Sequence, residues 1–379
     1  MNKFKSHWGV GIALAIGMPF GAMAQGSLPA PIPDIAGKVQ TVNGVIDPSA
    51  LAETLMHEHI FIDFKQPPPM IPPPTNIVVI QPPAKPAPGD KPGQRGLTDF
   101  DESLNAIMEF KHEGGGTIVD VSNFGLTRDP LALQLVSRAS GLNVVMGAGW
   151  YMHQYHPSDM DQLTVQQLTD ILVRDITVGA QGTNIRSGII GEVGVGDFED
   201  FKKHHPLEPN VIKSVRASAR AARITGAPMS IHNFEGLPEM MQVLDIIQSE
   251  GVDLHHVVMS HTGGRPTEEM EAIFKRGAYV EWDYMGQAPL SPANDKRIID
   301  SIAAMIKAGH AAQIVLSHDI CTQAQLKVNG GGGYTYINDV IIPGLKAQGV
   351  SDATIHQITH ENPAHVLTFV APQAATHQS

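Results

Sequence analysis

His256-Val257-Val258-Met259-Ser260-His261 is the stretch whose reading decides the fold. It is too short and too uniformly apolar for an amphipathic helix, it follows a helical pattern from Leu237 to Ser249, and it ends on a histidine. A short apolar run of this kind reads as a strand buried on both faces. The same shape recurs at Thr54-Leu55-Met56-His57 and at Thr117-Ile118-Val119-Asp120-Val121, the latter just after the Gly114-Gly115-Gly116 helix stop. It stands again at Asn143-Val144-Val145-Met146-Gly147, Ser187-Gly188-Ile189-Ile190-Gly191-Glu192 and Pro228-Met229-Ser230-Ile231-His232. Ala278-Tyr279-Val280-Glu281-Trp282-Asp283 and Gln313-Ile314-Val315-Leu316-Ser317-His318-Asp319 complete the series. Helical patterns lie between, as at Glu208 to Thr225 and Asp295 to Ala308. Eight strands alternating with helices predict a parallel sheet closed into a (β/α)8 TIM barrel, with the active site at the C-terminal strand ends.

Where polar residues fall on these strands points to chemistry. Strands one, four, five, six and eight end in His or a carboxylate, and a closed barrel brings those ends to one mouth. His57 and His59 share one face of a strand, being one residue apart. Alone the pair says little, since 18 histidines in 379 residues give about one such spacing by chance. Together with Glu192, His232, His261 and Asp319 it makes a set of imidazoles and carboxylates suited to zinc, or to manganese, iron or cobalt. Six ligands exceed what one zinc needs. Two divalent ions bridged by Glu192 and a hydroxide would use them all, with the hydroxide as nucleophile. Asp319 is expected both to bind a metal and to accept the proton of the attacking water.

With Gly125-Leu126-Thr127-Arg128-Asp129, Gly149-Trp150-Tyr151, Gly191-Glu192-Val193-Gly194, Ser260-His261-Thr262 and Leu316-Ser317-His318-Asp319 added to His57-Glu58-His59, the chain resembles the phosphotriesterase-related branch of the amidohydrolase superfamily, from roughly Val42 to Phe369. The resemblance implies His57, His59 and Asp319 on the more buried metal, His232 and His261 on the more exposed one, and a bridge from strand four. The best-known members bridge with a carboxylated lysine, and no lysine occurs from Ser187 to Asp197. Glu192 is the substitute, as in glutamate-bridged members. Tyr151 stands where family lactonases carry a tyrosine near the hydroxide, so a role in orienting a carbonyl oxygen is expected of it. A homodimer is a further expectation from the resemblance.

The expected activity is therefore hydrolysis of an ester-like bond, in a lactone, carboxylic ester or phosphotriester. The alternatives are an amide-bond hydrolase using the same metals and an exported barrel that binds a small molecule without turnover. Arg265, Trp282 and Tyr284 follow strands six and seven and read as rim residues that either touch substrate or pack. His356 and His360 have i, i+4 spacing, but Gln357 stands where a metalloprotease helix needs Glu. His204, His205, His255, His256 and His318 read as surface or packed residues, and His153 and His156 as substrate contacts or solvated side chains.

Working outward to the termini, Met1-Asn2-Lys3-Phe4-Lys5, an apolar run to Phe20 and Ala22-Met23-Ala24 read as a signal peptide over 1–24, leaving 25–379 as a single barrel domain exported, by expectation, to the periplasm. Loss of the two lysines takes the formal charge from −12 to −14, an acidic balance that speaks against nucleic acid and for a small-molecule substrate. No second apolar stretch is long enough for stable membrane insertion. The single cysteine, Cys321, excludes an intrachain disulfide, so stability has to come from the core that 42% hydrophobic residues supply. One proline-dense segment, 66–92, reads as an irregular loop inserted early in the barrel.

Overall fold

Eight parallel strands form one sheet in sequence order, each at one of the apolar runs: β3 (Thr54–Glu58), β4 (Thr117–Asp120), β5 (Asn143–Ala148), β6 (Ile189–Val195), β7 (Met229–Asn233), β8 (Val257–Ser260), β9 (Tyr279–Trp282) and β10 (Ile314–Leu316). They follow a small antiparallel hairpin of β1 (Val39–Thr41) and β2 (Gly44–Ile46). The computed structural model describes residues 32–65, 67–70, 96–196 and 206–373. The expected signal over 1–24 lies outside these residues, as does the proline-rich stretch 66–92 apart from 67–70. None of the helices among the described residues is long and apolar enough to cross a membrane.

The crossovers are α1 (Phe100–His112), α2 (Pro130–Ser140), α3 (Val165–Thr177), α4 (Pro209–Thr225), α5 (Leu237–Ser249), α6 (Thr267–Arg276) and α7 (Pro292–Lys307). Local chemistry sets their ends. Asp99, Asp129, Thr164 and Ser291 accept backbone N–H bonds as N-caps, and Gly141, Gly226 and Gly277 take the left-handed C-cap conformation. Between sheet and helices lies a large apolar layer that includes Ile118, Val144, Ile231 and Met259. A smaller cluster with Met56, Val119, Val145, Val258 and Val315 fills the inside of the barrel. The two clusters draw on alternate residues of each strand, as the period of two requires.

That alternation is interrupted where the site begins. β3 is out of register with β4 between Leu55 and Glu58, and β6 with β7 between Ile190 and Val193. An extra residue at such a bulge re-aims the side chains beyond it. On β3 Met56 faces inward, and so does His57 directly after it; on β6 the shift turns Glu192 to the inside.

First and last strands meet through a buried carboxylate. Glu58 accepts bonds at Oε1 from Ser317 Oγ (2.8 Å), the His318 N–H (2.9 Å) and His318 Nδ1 (2.7 Å), and at Oε2 from the Ile320 N–H (2.9 Å). Backbone bonds cross the same seam, from the Asp319 N–H to the His57 carbonyl (3.1 Å) and from the His59 N–H to the Ile320 carbonyl (3.2 Å). His318 thus points out of the barrel into packed surroundings, where its Nε2 accepts the Ile337 N–H.

A second buried ion pair braces the wall. Arg128, 2% exposed, donates to Asp175 (2.7 Å), Gln181 (2.9 Å) and the Gly147 carbonyl (2.7 Å). Its guanidinium fork is fully used, which explains an arginine rather than a lysine there.

Glu58→Gln keeps the shape of the seam but turns an amide N–H₂ toward one of its donors and removes the charge. Breaking a buried charged network in this way is expected to cost about 2–4 kcal/mol. The check is thermal unfolding of chelator-treated protein, which separates the seam from any metal effect. An unchanged midpoint would show that the backbone bonds close the barrel unaided.

Candidate metal centre

Five strands deliver the expected residues to one place. His57 ends β3 with His59 just beyond it, Glu192 comes from β6, His232 from β7, His261 follows β8 and Asp319 follows β10. Glu192 is central: Oε1 lies 3.5 Å from His59 Nε2, and Oε2 lies 2.7 Å from His232 Nδ1, 3.3 Å from His57 Nε2 and 3.9 Å from His261 Nε2. Asp319 Oδ1 stands 3.3 Å from His59 Nε2 and 3.8 Å from His57 Nε2. His232 Nδ1 and His261 Nε2 approach to 2.7 Å. Two residues reach the site by backbone conformations that side chains rarely adopt, His261 at φ 59° and Asp319 at φ 54°. Left-handed backbone of this kind costs of order 1–3 kcal/mol each and persists only where the surroundings impose it. Here Asp283 accepts the His261 N–H at 2.7 Å, and Gln325 Nε2 donates to the Asp319 carbonyl at 2.6 Å.

Tyr151 arrives from the loop after β5. It lies across Gly194, where a side chain would collide with the backbone of Tyr151 and Met152. Its hydroxyl is 3.5 Å from His232 Nε2, on the side of that ring away from Glu192. Burial, with the charges of Glu192 and Asp319, pushes its phenol well above the ordinary value, so the hydroxyl keeps its proton.

The electrostatics are those of a site short of positive charge. Burial would raise the Glu192 carboxyl, but His232 and His57 hold it well below the usual carboxylate range. Burial would likewise lower His261, yet Asp283 and Glu192 carry it up to about 10, and Glu192 and Glu281 hold His57 well above its usual value. His232 takes the opposite course, down to about 4, from burial and the neighbouring His261. In the absence of a cation, the surrounding carboxylates draw protons onto His57 and His261. A divalent ion balances those carboxylates with unprotonated rings, and metal ligation displaces such protons. The donor set fits this exchange. His57 Nε2 is buried without a well-directed hydrogen bond, facing Glu192 and Asp319. Ligand atoms of His57, His59 and Glu192 lie within 4.8 Å of one another, as do those of Glu192, His232 and His261.

A third such group joins His57 and His261 to Asp283. Neither Asp283 nor Glu281 is among the site residues expected from the sequence, although both end the seventh apolar run. Other rim residues sort clearly. Tyr284 stacks on the His261 ring, with centroids 4.8 Å apart. Trp282 is buried on the outer face of β9 beside Gly263, and Arg265 is held by Glu269 (2.7 Å) and the Glu235 carbonyl (2.7 Å). His255 and His256 precede β8 at the opposite end, and His204 and His205 lie outside the described residues.

The model of the phosphotriesterase family matches residues 37–367. An N-acetyltaurine hydrolase of Xenopus tropicalis is 34% identical over 356 residues, 88% of this chain and 99% of that protein. The crystal structure of a resiniferatoxin-binding protein from Rhodobacter sphaeroides is similar with a TM-score of 0.75 at 30% identity, covering 88% of this chain and 96% of that one. A phosphotriesterase homology protein from Escherichia coli, solved with phosphate in its active site, gives 0.70 at 27% identity, covering 85% and 100%.

His156 departs from expectation, for it is neither solvated nor at the ligand cluster: it is 7% exposed, behind Tyr151. Burial pushes its imidazole down to about 4, against the pull of the Tyr151 backbone. The folded value lies below the unfolded one of about 6.5, so the unfolded chain binds the proton first; this contribution to stability is intact above pH 6.5 and is lost progressively as pH falls toward 4, by up to about 3 kcal/mol. Replacing His156 by Gln is expected to flatten the denaturant-derived stability curve in that window. A slope equal to that of the parent would mean that His156 titrates normally.

Proposed function

The chain belongs to the phosphotriesterase family of metal-dependent hydrolases, and from that premise we propose that it cleaves a small-molecule acyl bond with two divalent metals held by His57, His59, Glu192, His232, His261 and Asp319. The observation that supports the two-metal reading is the central position of Glu192, whose Oε1 faces His59 and whose Oε2 faces His232 and His57, while no lysine occurs in that strand. With two ions bound, His57, His59 and Asp319 would hold one and His232 and His261 the other, with Glu192 shared between the two sets. Zinc suits this mixture of nitrogen and oxygen donors, as do manganese, cobalt and iron. Bound there, the ions supply a hydroxide nucleophile at neutral pH and polarise the scissile carbonyl.

The chain's own groups do the rest. Asp319, 8% exposed at the mouth, takes the proton from the attacking water and returns it to the leaving nitrogen or oxygen as the acyl bond breaks. Tyr151, protonated and beside His232, donates to the oxygen on which negative charge develops. Tyr284, stacked on His261 and partly exposed, lines the mouth beside that ring.

An N-acyl amide is the first substrate class, because a relative that this chain matches over 99% of its length is named for hydrolysing one. A lactone or carboxylic ester is the second, because Tyr151 stands where the sequence resemblance puts the lactonase tyrosine; a phosphotriester ranks below both. Export to the periplasm and a homodimer remain proposals from the sequence.

Metal analysis of protein expressed with zinc, manganese or cobalt is expected to give about two ions per chain, and Glu192→Ala to lose both metal and turnover. Fewer than about one ion per chain in the parent, or full activity in the variant, would sink the reading. A panel of N-acetyltaurine and other N-acyl amides, lactones, aryl esters and phosphotriesters, assayed with and without chelator, assigns the bond; turnover indifferent to chelator speaks against any metal. Tyr151→Phe is expected to lower kcat about 100-fold when assayed with saturating metal. An undiminished kcat would remove Tyr151 from the chemistry.

A further inference from the structure

Four imidazoles face the proposed metals, and each has its other ring nitrogen held from behind. The four backing groups are not alike. His59 Nδ1 meets the Ser122 hydroxyl at 2.9 Å, and His232 Nε2 meets the Tyr151 hydroxyl at 3.5 Å. The other two face carboxylates: His57 Nδ1 is hydrogen-bonded to Glu281 Oε2 at 3.3 Å, and His261 Nδ1 lies 3.1 Å from Asp283 Oδ1 in a close charge contact without a well-directed hydrogen bond. Both carboxylates come from a single strand. On β9 and just past it, Glu281 and Asp283 point inward while Trp282 between them packs outward, and both acids are within 1% of complete burial. Asp283 Oδ2 also accepts the His261 N–H and lies 4.0 Å from His57 Nδ1, so it reaches toward both rings.

In the ligand assignment above, on which this inference rests, each ion takes one carboxylate-backed and one hydroxyl-backed histidine. We propose that Glu281 and Asp283 are positioning residues: from one strand they fix the Nδ1–H tautomers of His57 and His261, present Nε2 of each ring to its own ion, and so set the affinities of the two sites separately. The physical basis is that an anion accepting from the rear N–H locks the ring's orientation and raises the basicity of the ligating nitrogen, where a hydroxyl does so less. Removing such a partner typically weakens metal binding 10–100-fold.

The test is stepwise metal release. Zinc- or cobalt-loaded protein is equilibrated against a series of chelator concentrations, bound metal is counted by mass spectrometry, and the visible spectrum of the cobalt form reports coordination. Glu281→Gln is expected to release one ion at about 10–100-fold lower free chelator while the other stays at its parental midpoint, and Asp283→Asn to show the complementary pattern. The step lost in Glu281→Gln should be the one lost in His59→Asn, and that lost in Asp283→Asn the one lost in His232→Asn. Thermal unfolding of the metal-free forms controls for folding. Should Glu281→Gln not fold, Glu281→Asp, which keeps the charge and draws it back from His57, carries the same test. Parental midpoints in both variants, or equal weakening of both ions in each, would overturn the proposal. So would a third ion in the parent that disappears with Asp283→Asn, since Asp283 would then be a ligand. If the parent itself binds fewer than two ions, it is the two-metal reading that fails.

Discussion

Everything at the mouth of this barrel depends on how the sheet closes, and closure runs through the Glu58 carboxylate. β3 and β10 are the first and last strands of the sheet, separated by more than 250 residues of sequence, and Glu58 gathers Ser317, His318 and Ile320 around its two oxygens. The carboxyl group would be raised by burial alone, but His318 and the converging N–H donors bring it below its ordinary value, so it holds the seam as an anion. Its neighbours on either side, His57 and His59, thereby face Asp319 across the same seam. One side chain with no direct contact to substrate in the proposed reading thus joins two ligand-bearing strands, alongside the backbone bonds of Asp319 and His59 across the seam.

The second constraint is charge. Glu192, Glu281, Asp283 and Asp319 stand among four imidazoles in a space where bare charges are costly. Each carboxylate of the three buried most deeply finds at least one ring nitrogen within 3.5 Å. Bulges on β3 and β6 and left-handed backbone at His261 and Asp319 bend the strands so that these contacts form. Backbone irregularity therefore concentrates at the strand ends that carry the site, while the lower barrel keeps a regular inward and outward alternation packed with valine and isoleucine. An acid cluster of this kind has to be balanced by protons or by a metal, and that choice is the chemical identity of the site.

Much of this was legible beforehand. All eight strands were read from apolar runs because parallel strands covered on both faces lose the polar alternation that makes other strands ambiguous. The cluster of His57, His59, Glu192, His232, His261 and Asp319 was legible because strand ends of a closed barrel converge whatever their separation in sequence. Glu281 and Asp283 were missed for a physical reason: a carboxylate at a strand end looks the same whether it faces an ion or the back of an imidazole. His156 was misread because its burial depends on how the Tyr151 loop folds over Gly194, which no local pattern announces. Glu58, inside the most conspicuous motif, was passed over because its partners are three residues at the far end of the chain.

By itself the sequence determined the barrel and the set of imidazoles and carboxylates at its strand ends, since these follow from periodicity, spacing and residue identity, while Glu192 in the place of a bridging lysine is what the family resemblance implies. Tertiary structure alone decided which nitrogen of each histidine faces the site, which group stands behind it, and that one strand backs a histidine of each proposed metal set. Those are questions of orientation across 22 to 224 residues of chain, settled by bulges, left-handed turns and hydrogen bonds that exist only once the sheet has closed. Function on this fold resides in that orientation, because a ligand set specifies chemistry only when its lone pairs converge.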